Sequence, residues 1–459
     1  MGLAGGPHGA KALLVDQFAD AFKNAKCLRD VREMIGVRRS QTLAVLDGNV
    51  MMNAIPSQVD SFRGYVSILA NQLSDACQAA AHVVVVFDEP QAMTAAKRDE
   101  QRRRDEVRQA RVPLCSEDLV ATIVDDNFTT NDLRTAGCNV KLLMEHRKAR
   151  PRFYDAVCVA LLKQFEEQMT GDGAWSLTFD GVDRRGADRG FGVSRDAGVL
   201  SSDGEFWQPL LHRATPIGEG DIKLTDVTQR VHDAAHSAAT PVHGVSLNLV
   251  VTIDTDSFAI ELLQQNRRER RAVKEDRDEL TVLCFKERAR KRKGDDFITD
   301  AHYLCCDTQV LHELVLDYFY GTKHLDEEVQ AQNPAAFALL AASLACCGCD
   351  FVEVKGMRAD LVLPVVRDLV RRHNSEALGA MACIFAESPK DMRKASRAIE
   401  MVIKEYAKSL DQVPRMQRAK NNASCYCDAQ VLRALWTCAY WHQREFKDCA
   451  SWGFPSACG

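Results

Sequence analysis

The sequence predicts an α/β fold, with a parallel twisted sheet flanked by helices and a mostly helical C-terminal region. Three β-branched or apolar runs that each end in an acid favour this fold: TLAVLDGNV, HVVVVFDEP and LNLVVTIDTDS. A helical stretch from Ser57 to Ala81 separates the first two runs. The order strand, helix, strand is typical of a parallel sheet, because parallel strands need a long crossover connection.

The remaining elements follow from composition along the chain. The first 40 residues are predicted to be helical and polar. The charge-dense stretch Lys97–Arg111 contains no Gly or Pro, which predicts an exposed helix. A further helical region runs from Asn131 to Met169. The segment Gly181–Glu205 is rich in Gly, Asp, Arg and Ser, and this composition predicts a surface insertion.

The C-terminal half alternates between charged and apolar segments. The segment Gln264–Glu279 carries mixed charge, Glu287–Lys293 is strongly basic, and the apolar run Phe337–Cys349 predicts a buried helix. The last hundred residues are predicted to be helical up to an aromatic-rich tail. We predict three parts of the chain: a core over 1–262, a basic segment with helices over 263–350, and a helical region over 351–459.

Composition excludes several classes of protein. The 59 Lys and Arg residues against 64 Asp and Glu residues give a net charge of −5, which excludes a protein that coats nucleic acid through bulk positive charge. No apolar run approaches the roughly 18 residues that a membrane span needs, so we expect no membrane contact. Seventeen cysteines without a secretory signal predict free thiols and an intracellular location. Glu287–Lys293 suits either a nuclear localisation signal or a patch that binds nucleic-acid backbone.

The acids at the strand ends are the candidate site. The carboxyl ends of parallel strands line the crevice where such sheets bind ligands, so Asp47, Asp88, Asp254 and Asp256 are expected to converge. Clustered carboxylates repel one another unless cations neutralise them, and hard oxygen ligands favour Mg²⁺ or Mn²⁺. Two such ions about 4 Å apart suit phosphodiester hydrolysis. The alternative is that each acid caps a helix or sits in a turn.

A short glycine-rich motif adds further acids. GEGDIK places Glu219 and Asp221 beside flexible glycines at a predicted helix start, where both carboxylates can reach a metal. Asp350, at the end of the apolar run 337–349, is the seventh acid of the set.

These motifs together resemble the Xrn-type 5′→3′ exonucleases, within the PIN-like superfamily that includes the flap endonucleases. LDGNVMMNAIP resembles that family's first Asp-x-Asn motif, and FDEPQAMTAAKRDEQRRR resembles its stretch of Asp and Pro followed by a Lys/Gln/Arg helix. PIGEGDIK resembles Pro-Gly-Glu-Gly-Glu-His-Lys, IDTDSFAIELL resembles the Asp-x-Asp-Leu strand end, and CGCDF resembles Gly-Asn-Asp-Phe. A terminal stretch, LRALWTCAYWHQREFKDCASWGFP, resembles the family's aromatic helix with Ser-Trp-x-Trp/Phe and Pro. The matches run in the family's order from Asp47 to Pro455.

The resemblance implies a role for each matching residue. It implies that two Mg²⁺ or Mn²⁺ ions bind the seven acids Asp47, Asp88, Glu219, Asp221, Asp254, Asp256 and Asp350. It also implies that Lys97, Gln101 and Arg104 hold a 5′-monophosphate, and that Trp452 stacks on a base. The spacing of Lys97, Gln101 and Arg104 puts them on one helix face, although a solvated charged helix has the same pattern.

Some positions depart from the family pattern. Asn53 stands where the family has a stacking His, Asp105 stands where it has a second phosphate-binding Arg, and Glu89 follows Asp88 where Gly is usual. These departures affect 5′-phosphate selection and processivity more than metal-dependent hydrolysis.

The function expected from the resemblance is a metal-dependent 5′→3′ exonuclease that acts on single-stranded RNA. Two alternatives remain. A flap-endonuclease-like DNA repair enzyme is suggested by CGCDFVEVKGM, although Arg358 stands where a second glycine is expected. A non-catalytic member that only binds nucleic acid is the other, and seven mutually repelling carboxylates argue against it.

Overall fold

The computed structural model describes about half of the chain. The described residues are 10–53, 62–88, 102, 106, 149–168, 175–180, 191–196, 199–201, 220–235, 245–262, 280–287, 302–321, 336–349, 352–353, 358–373 and 389–409. The chain divides into two compact units, each built from separate stretches of sequence. The sheet unit comprises Asn24–Ile253 and Glu279–Cys305. The helical unit comprises Met1–Lys23, Asp254–Asp278 and Cys306–Gly459. The predicted boundaries at residues 262 and 350 stay predictions.

The fold is α/β, with a mostly parallel mixed sheet. Its strands are β1 (Phe22–Ala25), β2 (Thr42–Asp47), β3 (His82–Val86), β4 (Trp175–Phe179), β5 (Phe191–Asp196), β6 (Val199–Ser201), β7 (Leu247–Thr252), β8 (Leu280–Glu287) and β9 (His302–Asp307). They lie in the order β1-β9-β8-β7-β2-β3-β4-β5-β6. Within the seven strands from β8 to β6, β8, β7, β2, β3 and β4 are parallel, and β5 and β6 add antiparallel pairs.

Parallel pairing aligns the carboxyl ends of the central strands. Asp47, the last residue of β2, lies opposite Val86 of β3, and Leu46 lies opposite Val251 of β7. Every residue of β2 is buried. Burial on both faces explains the continuous apolar character of these runs, because helices cover both faces of a parallel sheet.

Helices of the sheet unit cover the strands. They are α2 (Leu28–Ile35), α3 (Gly48–Asn53), α4 (Phe62–Ala79), α5 (Ala149–Gln168) and α6 (Gly220–Ala235). Tyr65, Leu69 and Leu73 recur at helical spacing on α4 and are fully buried against the core that includes Val83 and Val85. Helix α6 packs on β2, β3 and β7.

The helical unit contains α1 (Ala10–Gln17), helical residues 256–262, α7 (Thr308–Tyr320), α8 (Ala336–Ala345), α9 (Ala359–His373) and α10 (Pro389–Ser409). Helix α7 packs against α8 and α9, and α9 packs against α10. The two-residue strands β10 (Gly348–Cys349) and β11 (Val352–Glu353) pair antiparallel. Helices α9 and α10 confirm a helical C-terminal part, whereas the aromatic-rich tail lies outside the described residues.

The predicted elements correspond well to the central strands and less well to the edges. The three acid-terminated runs form β2, β3 and β7, as predicted. The segment Gly181–Glu205, which we expected to be a surface insertion, contributes β5 and β6 to the sheet. Strand β1 lies within the first 40 residues, which were expected to be helical, because pairing at the sheet edge overrides weak local preference. Among the helices that the structure describes, none is long and apolar enough to span a membrane.

Candidate active site at the carboxyl ends of the strands

Asp47 ends the central strand β2 and is 6% exposed. Its Oδ1 accepts a hydrogen bond of 3.1 Å from the backbone N–H of Val50, in the first turn of α3. This bond satisfies one of the N–H groups that a helix start leaves without an intrahelical partner. The capping role considered as an alternative for this acid is therefore real.

Asp88 forms a hydrogen bond with the glycine-rich motif GEGDIK. It lies two residues beyond β3, and its Oδ1 accepts a hydrogen bond of 2.7 Å from the backbone N–H of Gly220, the first residue of α6. A β-carbon on Gly220 would lie 3.1 Å from Asp88 Oδ1, 3.6 Å from Asn49 Nδ2 and 3.8 Å from Asp47 Oδ1. The start of α6 therefore lies against the ends of both β2 and β3, and a β-carbon at position 220 would require Asp88 or the helix to shift by a few tenths of an ångström.

A second glycine brings the two strand ends together. A β-carbon on Gly48 would lie 2.4 Å from Cε1 of the Phe87 ring. Phe87 is fully buried, so its ring cannot move aside without disturbing the core. Since Gly48 follows Asp47 and Phe87 precedes Asp88, this contact positions the backbone beside both acids.

An ion pair that we did not predict lies at the next strand end. Asp180 directly follows β4, and its N–H donates to the carbonyl of Val85 in β3 at 2.8 Å. Its Oδ2 lies 2.9 Å from Nζ of Lys223 on α6. The two side chains are only 12% and 4% exposed, respectively. A detectable signal existed for both residues, because WSLTFDG is another strand that ends in an acid and Lys223 belongs to GEGDIK.

Asp254 and Asp256 follow β7 and belong to the helical unit. The N–H of Asp256 donates to Asp254 Oδ1 at 3.3 Å. Asp256 is 2% exposed and begins helical residues 256–262. The two acids thus share a turn at the start of a helix, where negative charge is favourable.

Several predicted site residues lie outside the described residues: Glu219, Asp350, Lys97, Gln101, Arg104 and Trp452. Asp221 is described in the first turn of α6. Within the predicted phosphate-binding helix, only Arg102 and Glu106 are described, and both are helical and exposed. No group of three or more His, Cys, Asp or Glu side chains placed to hold a metal ion occurs within the described stretches.

The donor set at the ends of β2 and β3 suits a hard divalent cation. Asp47 and Asp88 are carboxylates, and each uses Oδ1 to accept a backbone N–H. Such hydrogen bonds orient ligating carboxylates, which is the role of outer partners in metal sites. Oxygen donors are what Mg²⁺ and Mn²⁺ prefer. These residues therefore fit the group that the resemblance implies.

Comparison with protein-family models and with curated proteins finds no significant match for this chain.

Proposed function

We propose that this protein is a metal-dependent 5′→3′ exonuclease of PIN-like fold that hydrolyses phosphodiester bonds from a 5′-phosphorylated end, with single-stranded RNA as the favoured substrate. One observation carries the proposal. Asp47, Asp88 and the first residue of α6 in the GEGD motif meet at the carboxyl ends of parallel strands. These positions are distant in sequence, and each belongs to a motif that resembles the Xrn-type family.

The acids would hold two Mg²⁺ or Mn²⁺ ions, which supply water activation and stabilisation of the leaving oxygen in such reactions. Asp47 and Asp88 would contribute from the carboxyl ends of β2 and β3, together with Asp221 of α6. Glu219, Asp254, Asp256 and Asp350 complete the proposed set.

Substrate selection would fall to other residues. We assign the 5′-monophosphate to Lys97, Gln101 and Arg104, since a Lys point charge with an Arg fork suits a terminal phosphate. Trp452 would stack on a base, and stacking accepts any base. This division explains how a protein of net charge −5 can process nucleic acid: positive charge is needed only locally.

The variants Asp254→Asn and Asp256→Asn test the proposal. Their rates of hydrolysis of 5′-phosphorylated RNA in Mg²⁺ are compared with the wild-type rate. We expect each variant to lose turnover, because an amide replaces an anionic oxygen ligand by a neutral one. Asp226→Asn is the matched control, because Asp226 forms a partly exposed ion pair with Arg230 on α6. Thermal unfolding of every variant confirms that the fold is retained. Unchanged turnover in folded Asp254→Asn and Asp256→Asn proteins would refute the assignment.

The flap-endonuclease alternative is separated by a substrate panel. Wild-type protein is given single-stranded RNA with a 5′-phosphate, the same RNA with a 5′-hydroxyl, and a 5′-flapped DNA duplex. Preferential decay of the phosphorylated RNA supports the proposal, whereas cleavage of the DNA flap alone favours the repair enzyme. Binding without turnover on any of these substrates, in Mg²⁺ or Mn²⁺, favours the non-catalytic member.

A further inference from the structure

The buried ion pair between Asp180 and Lys223 lies one helical turn from the Gly220 contact. Lys223 is three residues after Gly220, so both lie on the same face of α6. Gly220 donates its N–H to Asp88 beyond β3, and Lys223 places its ammonium on Asp180 beyond β4. The start of α6 therefore offers one hydrogen-bond donor to each of two acids at the ends of neighbouring strands.

We propose that Asp180 and Lys223 form a positioning pair that holds the first turn of α6 against the strand ends and thereby sets the Gly220 N–H on Asp88. The catalytic part of this inference rests on the proposed nuclease function. Lys223 is a positioning residue, because a side chain that is only 4% exposed is withdrawn from a substrate. Its effect on hydrolysis passes through α6, which carries Asp221 and Gly220.

The chemistry of the pair supports positioning over stability. Removing one partner of a buried ion pair leaves an unpaired charge and destabilises the fold, whereas replacing both by apolar side chains of similar volume is often neutral or stabilising. Packing alone would therefore be served equally well by two apolar side chains. An ammonium and a carboxylate at 2.9 Å add directionality, since the hydrogen bonds fix the distance between β4 and α6.

The hydrogen bond between Gly220 and Asp88 is sensitive to the position of the first turn of α6. The backbone nitrogen of Gly220 already lies 2.7 Å from Asp88 Oδ1, at the short limit of an N–H···O hydrogen bond. A small outward movement of the first turn lengthens this bond, while movement inward is blocked. Anchoring the helix at a second strand end limits the outward movement.

The test compares Lys223→Met, Asp180→Asn and the double variant Asp180→Leu/Lys223→Met, in which both partners are apolar. The matched control is Asp226→Asn/Arg230→Met, which removes a partly exposed ion pair of the same 2.9 Å length from the same helix. Each protein is measured for thermal unfolding, for kcat and KM on 5′-phosphorylated RNA, and for amide hydrogen exchange in a peptide that covers the start of α6.

We expect Lys223→Met to unfold at a lower temperature than the wild type and the double variant to recover most of that loss. The double variant keeps a kcat about 10- to 100-fold below the wild type, the usual cost of losing an outer partner of a metal site. Its KM stays close to that of the wild type, and its hydrogen exchange accelerates in the first turn of α6 alone. The control pair leaves kcat, KM and hydrogen exchange in the first turn of α6 unchanged.

Recovery of both stability and kcat in the double variant would overturn the inference, because the pair would then be structural only. Lys223→Arg keeps the charge and is expected to retain more kcat than Lys223→Met; equal losses in the two would also overturn it. If the wild type hydrolyses no nucleic acid, the nuclease proposal fails, and hydrogen exchange still decides the positioning role. Faster exchange confined to the first turn supports that role, whereas unchanged exchange refutes it.

Discussion

The strand ends of the sheet unit and the packed helices α7 and α8 of the helical unit treat buried ionisable groups differently. At the strand ends, Asp47, Asp88 and Asp180 each have a specific donor. In the helices, His312 lies against the Phe337 ring, with centroids 4.6 Å apart, and burial lowers its pKa to about 4. Burial likewise raises the pKa of the Cys346 thiol, just after α8, to about 12.

This difference indicates which part of the protein contains the proposed catalytic groups. At the end of the sheet each of these acids accepts from an oriented donor, and for Asp47 and Asp88 that donor is a backbone N–H at a helix start. At His312 in α7 and at Cys346 just after α8, desolvation by burial favours the neutral forms. We therefore expect substitutions at the strand ends to affect hydrolysis, and substitutions in α7 and α8 to affect stability.

Gly220→Ala should have the largest effect. Its β-carbon would lie 3.1 Å from Asp88 Oδ1, so the acid or the helix must shift. We expect kcat/KM on 5′-phosphorylated RNA to fall about 10- to 100-fold, as for other lost ligand-orienting contacts. Gly36→Ala is the matched control, because Gly36 has φ 81° and no atom within 4 Å of the added carbon. The control should lose only about 1 kcal/mol of stability. Equal rates in the two variants would contradict the special role of the strand ends.

Gly48→Ala should lower the free energy of unfolding by about 1–3 kcal/mol, the usual cost of overpacking a core. The cause is the 2.4 Å approach of its β-carbon to the Phe87 ring. Urea unfolding measures the change. Truncating the ring relieves the contact, so Gly48→Ala should cost less in a Phe87→Leu background. Additive losses in the double variant would show that the two residues do not interact.

The burial of His312 should make the free energy of unfolding depend on pH, and the variant His312→Leu should lack this contribution. Its pKa lies at about 4 in the folded state and near 6.5 in the unfolded chain, so the unfolded state binds more protons between these values. The contribution of neutral His312 to the free energy of unfolding is therefore complete above about pH 6.5. It decreases toward pH 4, by at most about 1.4 kcal/mol per pH unit. Urea unfolding of the wild type and His312→Leu at about pH 5 and pH 7 measures the difference. An equal pH dependence in both proteins would mean that His312 is not held neutral by burial.

The central strands could be predicted from the sequence, whereas the edges could not. Strands β2, β3 and β7 are buried on both faces, so their apolar runs are continuous and end abruptly in acids. Strand β8 has a comparable run, LTVLCFKE, but it lies between charged segments that dominate the local composition, and we did not predict it. Strands β5 and β6 could not be predicted, because their segment is rich in Gly, Asp and Arg. They form by pairing with the neighbouring strand.

The candidate site was predictable as a list of acids but not as a set of partners. Asp47 and Asp88 follow apolar runs, and a parallel sheet must bring such ends to one edge. Asp180 and Lys223 were missed, because 42 intervening residues separate them and no sequence spacing indicates an ion pair over that distance. The contact of Gly220 with Asp88 spans 132 residues and has the same character.

The sequence by itself determined the α/β class, the central parallel strands and the acids at their ends, because apolar periodicity and burial are properties of short segments. Only the tertiary structure decided which N–H each acid accepts, that α6 begins between the ends of β2 and β3, and that Lys223 is paired with Asp180. Hydrogen bonds and ion pairs depend on distances of a few ångströms between distant segments. Those distances are set by packing, which no local pattern encodes.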